Sequence, residues 1–108
     1  MTELKDRRCV PCEGDVAPYT KAQAEDMLRS LKGWTIENNT LVKLYPFMTY
    51  YQTMAFVNAL AWISHREDHH PDLSVHFNRV EVRYSTHDVG GLSTNDFICA
   101  AKAEQLQL

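Results

Sequence analysis

The sequence has little of what marks disulfide-bonded, nucleic-acid-binding or membrane proteins. It contains three cysteines in 108 residues, and an odd count in so short a chain does not make a disulfide framework. Lysine and arginine form no long run and the net charge is -3, so a positive surface for phosphate backbones is missing. No apolar stretch approaches the roughly 20 residues of a membrane span, and no signal peptide is visible. We therefore expect a cytoplasmic protein that binds neither nucleic acid nor membrane directly.

What is present has the composition of one ordinary globular domain. Hydrophobic residues make up 44% and charged residues 23% of the chain, which argues against disorder. We expect residues 1–19 to form a flexible lead-in and residues 20–108 to form a single domain. Cys9 and Cys12 in the lead-in have the spacing of half a zinc site or of a redox pair. Because no second pair follows, a plain surface segment is the favoured interpretation.

The first half of the domain changes from a helical period to an alternating one. Thr20 and Gln23 form a capping box, and Gly33 is placed to end the helix that follows. Alternation then predicts a β-hairpin whose turn is Asn38–Asn39. Pro46, near the end of the second strand, predicts an edge or a bulge there.

The second half repeats this order. Helical spacing predicts a helix over residues 50–66 that ends before Pro71, because the residue before a proline avoids helical conformation. A second hairpin with its turn at Asn78–Arg79 follows, and Ser93 with Asp96 opens a last helix. The fold is predicted as α+β in the order α-β-β-α-β-β-α, a four-stranded antiparallel sheet with three helices packed on one face. Its uncovered face and edges predict an oligomer.

The stretch of residues 65–72 concentrates groups that titrate near neutral pH. It holds three of the five histidines, among them the adjacent His69 and His70, at a helix end where both rings can turn toward one cavity. With His87 they could serve two chemistries. One is a zinc, iron or copper site that also uses His65 and a carboxylate; the other is acid–base catalysis without a metal. We favour the second, because a metal would leave one of the adjacent rings unused.

Several other polar or aromatic residues have ordinary structural interpretations. His76 alternates with apolar residues and is predicted on the solvent face of its strand. Asp96 is a helix-capping residue that could also face the site. Trp34 is interpreted as core, the commoner position of a tryptophan at the start of a strand. Gly90 and Gly91 are predicted to supply left-handed or close-approach backbone in the loop after His87.

The histidine pattern resembles that of the pterin-4a-carbinolamine dehydratase family. The resembling residues, at the family's spacings, are His65-x3-His69-His70-Pro71, Phe77, His87 and Asp96. Residues 86–93 and 78–80 are also similar to the family, and the resemblance spans roughly residues 20–106. The segment from Cys9 to Gly14 is similar to that of bacterial members. One position departs from the pattern, since the family often has an acidic residue where this chain has His65.

The resemblance implies a hydro-lyase that converts 4a-hydroxytetrahydropterin to quinonoid dihydropterin, in tetrahydropterin recycling for aromatic amino-acid hydroxylases. It implies that His69 and His87 act as general acid and base, and that His70 holds and polarises the pterin. It also implies substrate contacts or orienting roles for a further set of residues: Trp34, Asp68, Ser85, Thr86 and Asp96. No metal or cofactor would be required, and the assembly would be a homodimer or a homotetramer.

The sequence also allows three functions other than catalysis of the dehydration. Animal members of the same family also serve as dimerisation cofactors for a transcription factor, so a protein-binding or coactivator role is one alternative. A metal-binding histidine cluster is another. A third is binding to a hydroxylase, or assistance to pterin metabolism, without turnover.

Overall fold

A computed structural model describes residues 3–11 and 17–106 of the chain. Three helices and four strands follow one another in the predicted order, which confirms the α+β class: α1 at Lys21–Leu28, β1 at Thr35–Glu37, β2 at Thr40–Pro46, α2 at Tyr50–Glu67, β3 at Asp72–His76, β4 at Arg79–Tyr84 and α3 at Thr94–Glu104. Two short 3-10 turns, at Leu4–Asp6 and His87–Val89, complete the described elements.

The strands form one antiparallel sheet in the order β1-β2-β4-β3. The two hairpins therefore meet through β2 and β4, which pair from Leu41↔Tyr84 to Pro46↔Arg79. β1 pairs only with the first three residues of β2, so Pro46 has a neighbouring strand on one side only. This is the edge environment that the proline predicts, because proline has no N–H to donate to a second strand.

The hydrophobic core lies between one face of this sheet and the helices. Val80, Val82 and Tyr84 alternate along β4, and all three are fully buried on the helix-covered face. Each helix contributes side chains to the same cluster, which includes Ala24 from α1, Phe56 and Leu60 from α2, and Phe97, Ala100 and Ala103 from α3. The prediction of three helices on one face is confirmed.

Local signals account for most of the element boundaries. Thr20 and Gln23 form the predicted capping box at the start of α1. Asn38 and Asn39 both have positive φ, 49° and 60°, which is the conformation that a tight two-residue hairpin turn requires. Asparagine adopts this region more readily than most residues, so the predicted turn follows from residue type.

Helix α1 ends earlier than the sequence predicts. It stops at Leu28, with Arg29 as the C-cap, and a further turn joins the Leu31 N–H to the Leu28 carbonyl at 2.9 Å. The turn carries Leu31 into the core, where it is 6% exposed. Gly33 does take a positive φ of 84°, but it does so in the connection to β1 and not at the end of the helix.

The second hairpin turns one residue earlier than the sequence predicts. Arg79 pairs with His76 in the ladder between β3 and β4, so the turn residues are Phe77 and Asn78 rather than Asn78 and Arg79. Phe77 is 65% exposed and Val75 is 42% exposed. Both lie at the open edge of the sheet, because β3 is its outer strand.

The N-terminal segment, for which the sequence predicts a flexible lead-in, lies against α2 and α3 in residues 3–11. Lys102 Nζ donates to the Lys5 carbonyl at 2.9 Å, and Cys9 Sγ lies 3.4 Å from Cys99 Sγ. Cys12 lies outside the described residues, so the structure does not describe the Cys9–Cys12 pair. The division of the chain at residue 20 stays a prediction.

Within the two described ranges, no helix combines the length and the apolar character that crossing a bilayer would require.

Candidate active site

The candidate site lies at one end of the sheet, where β4 ends, β2 begins and α2 turns into β3. The registers Leu41↔Tyr84 and Asp72↔Arg83 place these three junctions side by side. Helix α3 begins directly after the loop that follows β4. Residues far apart in the sequence therefore reach one region.

The junction between α2 and β3 turns sharply at Asp68. This residue is the C-cap of α2 and has left-handed φ and ψ of 51° and 44°, a conformation open to aspartate at a helix end. The turn is secured by the His69 N–H, which donates to the Ser64 carbonyl at 3.2 Å. The predicted end of the helix between Asp68 and His70 is confirmed, and the turn at Asp68 contributes to it as well as Pro71.

His69 is held by a carboxylate and by an aromatic ring. Its Nε2 lies 2.6 Å from Asp96 Oδ1, and the two side chains are 11% and 0% exposed. The imidazole stacks on Tyr84 with ring centroids 6.0 Å apart and an interplanar angle of 8°. Burial raises the pKa of Tyr84, so this ring is a neutral partner. One nitrogen of His69 is thereby committed and the orientation of the ring is set.

Asp96 joins three parts of the chain through its two oxygens. Oδ1 meets His69, while Oδ2 accepts from Thr86 Oγ1 at 2.7 Å and from the Ser93 N–H at 2.9 Å. The Thr86 and Ser93 hydroxyls are themselves 2.8 Å apart. The buried carboxylate has partners on both oxygens, as a buried ionisable group requires. The same residue caps α3 and holds the candidate catalytic histidine.

His87 lies on the loop that follows Thr86, at the start of the short 3-10 turn, and is exposed. It lines a cavity of about 280 Å³ together with Ser85, Thr86, Gly90 and Gly91 of the same loop and residues 38–40. Gly90 has a φ of 71°. A Cβ on Gly91 would lie 3.1 Å from the Pro18 side chain. Both glycines therefore serve the backbone roles that the sequence predicts.

Comparison with known proteins identifies the family to which this arrangement belongs. The sequence model described as pterin 4 alpha carbinolamine dehydratase matches residues 17–106. The chain belongs to this family. Pterin-4-alpha-carbinolamine dehydratases are hydro-lyases, so the chain is an enzyme of that class.

Relatives and solved structures agree with this assignment. A protein of Nitrosomonas eutropha named as a pterin-4-alpha-carbinolamine dehydratase is 55% identical over 107 residues, covering 98% of this chain and 95% of its own. One of Dechloromonas aromatica with the same name is 57% identical over 103 residues, covering 95% and 92%. The crystal structure of a transcriptional coactivator/pterin dehydratase from Brucella melitensis superposes with a TM-score of 0.80 at 25% identity, covering 82% of this chain and 97% of that one.

A more distant structure shares the fold alone. It is a pterin dehydratase-like protein identified as a RuBisCO assembly factor in the alpha-carboxysome. It superposes with a TM-score of 0.58 at 24% identity, covering 68% of this chain and 84% of its own. A shared fold does not by itself fix the function, which has to be inferred from the site.

Side-chain hydrogen bonds connect three of the predicted site residues of this dehydratase-family chain. His69, Thr86 and Asp96 form one hydrogen-bonded group. His70 and Asp68 are exposed beside His69. Among the residues that the structure describes, no side-chain hydrogen bond is found for either.

Trp34 belongs to the core. It is 4% exposed, and its Nε1 donates to Glu104 Oε1 at 2.9 Å. It also lines a second cavity of about 440 Å³ between α1 and β1. This cavity shares only Asn38 and Asn39 with the one beside His87.

The two remaining histidines lie away from this group. His65 packs on the Trp62 ring, with centroids 6.2 Å apart, on an exposed part of α2. His76 is exposed on β3 and lies 3.2 Å from the Ser74 hydroxyl, so its prediction as a solvent-facing residue is confirmed. Over residues 3–11 and 17–106, no three His, Cys, Asp or Glu side chains come together as metal ligands would. The metal-site alternative finds no ligand set there.

Two parts of the site are not predicted from the sequence. Tyr84, which stacks on His69, reads only as the last apolar residue of an alternating strand. The Ser93 N–H belongs to the cap of α3. Nothing in the local sequence shows that its acceptor, Asp96, also contacts His69, which lies 27 residues from Asp96. The position of Tyr84 two residues before Thr86, at the end of β4, is the only signal that could have pointed to it.

Proposed function

We propose that this protein dehydrates 4a-hydroxytetrahydropterin to quinonoid dihydropterin by acid–base catalysis, with His69 and His87 as the acid and base. The observation that supports this most directly is the 2.6 Å contact between His69 Nε2 and Asp96, a carboxylate with no exposed surface. A buried carboxylate that fixes the tautomer and orientation of an imidazole is a common arrangement for a catalytic histidine.

The reaction requires two proton movements. The C4a–oxygen bond breaks with its electron pair on oxygen, so the leaving hydroxide takes up a proton and departs as water. The ring nitrogen N5 loses its proton as the new C=N bond forms. The pterin is neither oxidised nor reduced, so no redox cofactor is needed. Because two imidazoles can carry out both proton transfers, we also propose that no metal is required.

The contacts of His69 indicate which ring nitrogen would exchange a proton with the substrate. With Nε2 committed to Asp96, Nδ1 is the atom left to exchange a proton with the substrate. His87, exposed on the loop beside the 280 Å³ cavity, would exchange the other. His70, next in the chain to His69, would hold and polarise the pterin.

The remaining candidate residues would orient the site or the substrate. Thr86 and Asp96 would keep His69 in place through their hydrogen bond of 2.7 Å. Ser85 lines the cavity beside His87 and would contact the pterin, as would the exposed Asp68. Trp34 would contribute an aromatic wall from the neighbouring cavity.

We also propose a homodimer or homotetramer that works in the cytoplasm, with an aromatic amino-acid hydroxylase as its metabolic partner. The apolar residues at the sheet edge support self-association, since Phe77 is 65% exposed and Val75 42% exposed. Exposed apolar surface of this kind is commonly covered by a second chain. Sedimentation velocity over a range of concentrations measures the assembly.

Stopped-flow dehydration of chemically prepared 4a-hydroxytetrahydropterin tests the proposed function. We expect His69→Ala and His87→Ala each to lower turnover by roughly 10²-fold or more, the scale of a lost acid–base group. His76→Ala, an exposed histidine on β3, is the matched control and should keep wild-type turnover. Circular dichroism establishes that each variant is folded.

Two results would count against the proposal. If the wild-type protein does not accelerate the dehydration, the function is wrong. If a folded His69→Ala or His87→Ala variant keeps full activity, the role assigned to that histidine is wrong while the function stands.

A further inference from the structure

We propose that Arg8, Cys9 and Val10 form an N-terminal strap that positions the His69–Asp96 pair for catalysis. This inference rests on the proposed function for its catalytic consequence. The strap lies before residues 17–106, the part of the chain that matches the family.

The first anchor of the strap is Glu67, the last residue of α2 and two residues before His69. Its side chain is 2% exposed, and its Oε2 lies 2.9 Å from Arg8 Nε. Its Oε1 accepts from the Cys9 N–H at 2.8 Å. Burial opposes ionisation, but the Cys9 amide together with Lys102 and Arg8 lowers the pKa of Glu67. Both carboxylate oxygens at the end of α2 are therefore taken up by the strap.

The second anchor is Asn95, the residue immediately before Asp96. Its side chain makes a reciprocal pair with the backbone of Val10. The Val10 N–H donates to Asn95 Oδ1 at 3.1 Å, and Asn95 Nδ2 donates to the Val10 carbonyl at 2.6 Å. A side-chain amide that binds both backbone groups of one residue fixes its register against α3.

Cys9, the middle residue of the strap, also packs closely against α3. Cys9 Sγ lies 3.4 Å from Cys99 Sγ and 3.7 Å from the Asn95 carbonyl, both on α3. Cys99 has no exposed surface. The three strap residues thus face the start of α3 and the end of α2 together.

The places of these anchors support a role for the strap in positioning His69 and Asp96. The strap joins the end of α2 to the start of α3, and its anchors lie two residues before His69 and one residue before Asp96. The ion pair from Arg8 is weak by itself, since the Arg8 side chain is 56% exposed. The more buried backbone bonds at Cys9 and Val10 are the firmer part. Displacements of about 1 Å in such a pair reduce catalysis.

Two anchor variants and one control test the strap in the full-length protein. Glu67→Leu removes the acceptor for the Cys9 N–H, and Asn95→Ala removes both bonds to Val10. Lys102→Met is the matched control, because it releases the same N-terminal segment at Lys5 and removes a charge near Glu67, but leaves the hydrogen bonds of both anchors in place. Glu67→Gln is the conservative variant, whose amide oxygen can still accept from Cys9.

We expect Glu67→Leu and Asn95→Ala each to lower kcat about tenfold with KM within about twofold, because the pair is misplaced while substrate contacts remain. Glu67→Gln should stay within about threefold of wild type and Lys102→Met within about twofold. The hydrogen-bonded imidazole proton of His69, assigned by its absence in His69→Ala, is read by proton NMR. Its downfield resonance should shift or broaden in the two anchor variants and persist in the control.

The outcomes separate the strap from the function. If wild type is active and both anchor variants keep its kcat and its imidazole resonance, the positioning role is refuted and the dehydratase function stands. If wild type shows no dehydration, the function fails, and the resonance still reports whether the strap holds His69 against Asp96. Should Glu67→Leu fail to fold, Asn95→Ala alone decides.

Discussion

Replacing Asp96 by asparagine would keep the shape of the side chain and change one oxygen into a donor. The Ser93 N–H, 2.9 Å from Oδ2, is a fixed donor, and the Thr86 hydroxyl lies 2.7 Å from the same oxygen. The N–H requires an acceptor there, and the hydroxyl can donate to the same acceptor. The amide oxygen of asparagine would therefore take the place of Oδ2, and its NH₂ group would face His69 Nε2.

This orientation would reverse the hydrogen bond to His69. The amide would donate to Nε2, so the imidazole would carry its proton on Nδ1, the nitrogen that we assign to the substrate. A ring in the wrong tautomer begins the reaction in the wrong protonation state. We expect turnover to fall by about 10²- to 10⁴-fold, the range of a lost acid–base group, which corresponds to about 3–5 kcal/mol of the activation barrier.

Stability should suffer much less than turnover. The cap on α3 survives, because the amide oxygen still accepts from Ser93, and only the charge on the buried hydrogen bonds is lost. That loss is about 1–3 kcal/mol, or roughly 5–15 °C in Tm for a domain of this size. Asp96→Ala, which loses the cap as well, should be the less stable of the two.

Stopped-flow dehydration and thermal denaturation of the same preparations measure both effects. The reasoning is refuted if Asp96→Asn is folded and keeps more than about a tenth of wild-type turnover, well above the range expected for a lost acid–base group. It is also refuted if the asparagine variant is as unstable as the alanine variant, since the cap would then not have survived.

Three further predictions concern other parts of the molecule. Prolonged treatment with EDTA should leave dehydratase activity unchanged, and loss of activity with stoichiometric metal by elemental analysis would favour the metal-site alternative. Burial raises the pKa of Glu104, but hydrogen bonds from Lys43, Tyr45 and Trp34 outweigh this effect and lower the pKa from its ordinary value of 4.5. Its contribution to stability is therefore present above that value and is lost as the pH falls toward the lowered folded pKa. Chemical denaturation at about pH 5 to 3 should show a shallower loss of unfolding free energy in Glu104→Gln, and equal slopes would contradict this. Asn39→Gly should raise the unfolding free energy by about 0.5–1 kcal/mol and Asn39→Ala should lower it by about as much, because φ is 60° there; a stabilising alanine in thermal melts would contradict this.

The features predicted correctly from the sequence are those that short-range chemistry determines. Asn38 and Asn39 form a turn because few other residues accept positive φ twice in succession. Thr20 caps α1 through a bond to a residue three positions away. Such signals need no knowledge of the rest of the chain, and they suffice for the element order.

The errors arise where tertiary packing decides between two local solutions. Leu31 leaves the helical path for the core, so α1 ends before Gly33 even though glycine is a good terminator. In the second hairpin, Arg79 joins the ladder opposite His76. Since an asparagine suits either of two neighbouring turn positions, residue type alone could not fix the register there.

Contacts in the candidate site are even harder to predict from local sequence. His69 and Asp96 are both predicted as candidate site residues, but their direct contact spans 27 residues and depends on the turn at Asp68. The strap is beyond local reasoning altogether, because the Cys9 N–H finds its acceptor 58 residues away. Nothing in the sequence near Cys9 shows that its partner is a buried glutamate.

The shared use of Asp96 has a consequence for how this enzyme can evolve. One codon supplies the helix cap, the partner of the Thr86 hydroxyl and the partner of His69, so a substitution there is exposed to selection on folding and on catalysis at once. His70 and His87 are exposed and contribute little to packing, so a substitution at either would act on the proposed chemistry and hardly on folding. New substrate preferences in this lineage should therefore arise at the rim of the cavity, while the buried aspartate stays unchanged.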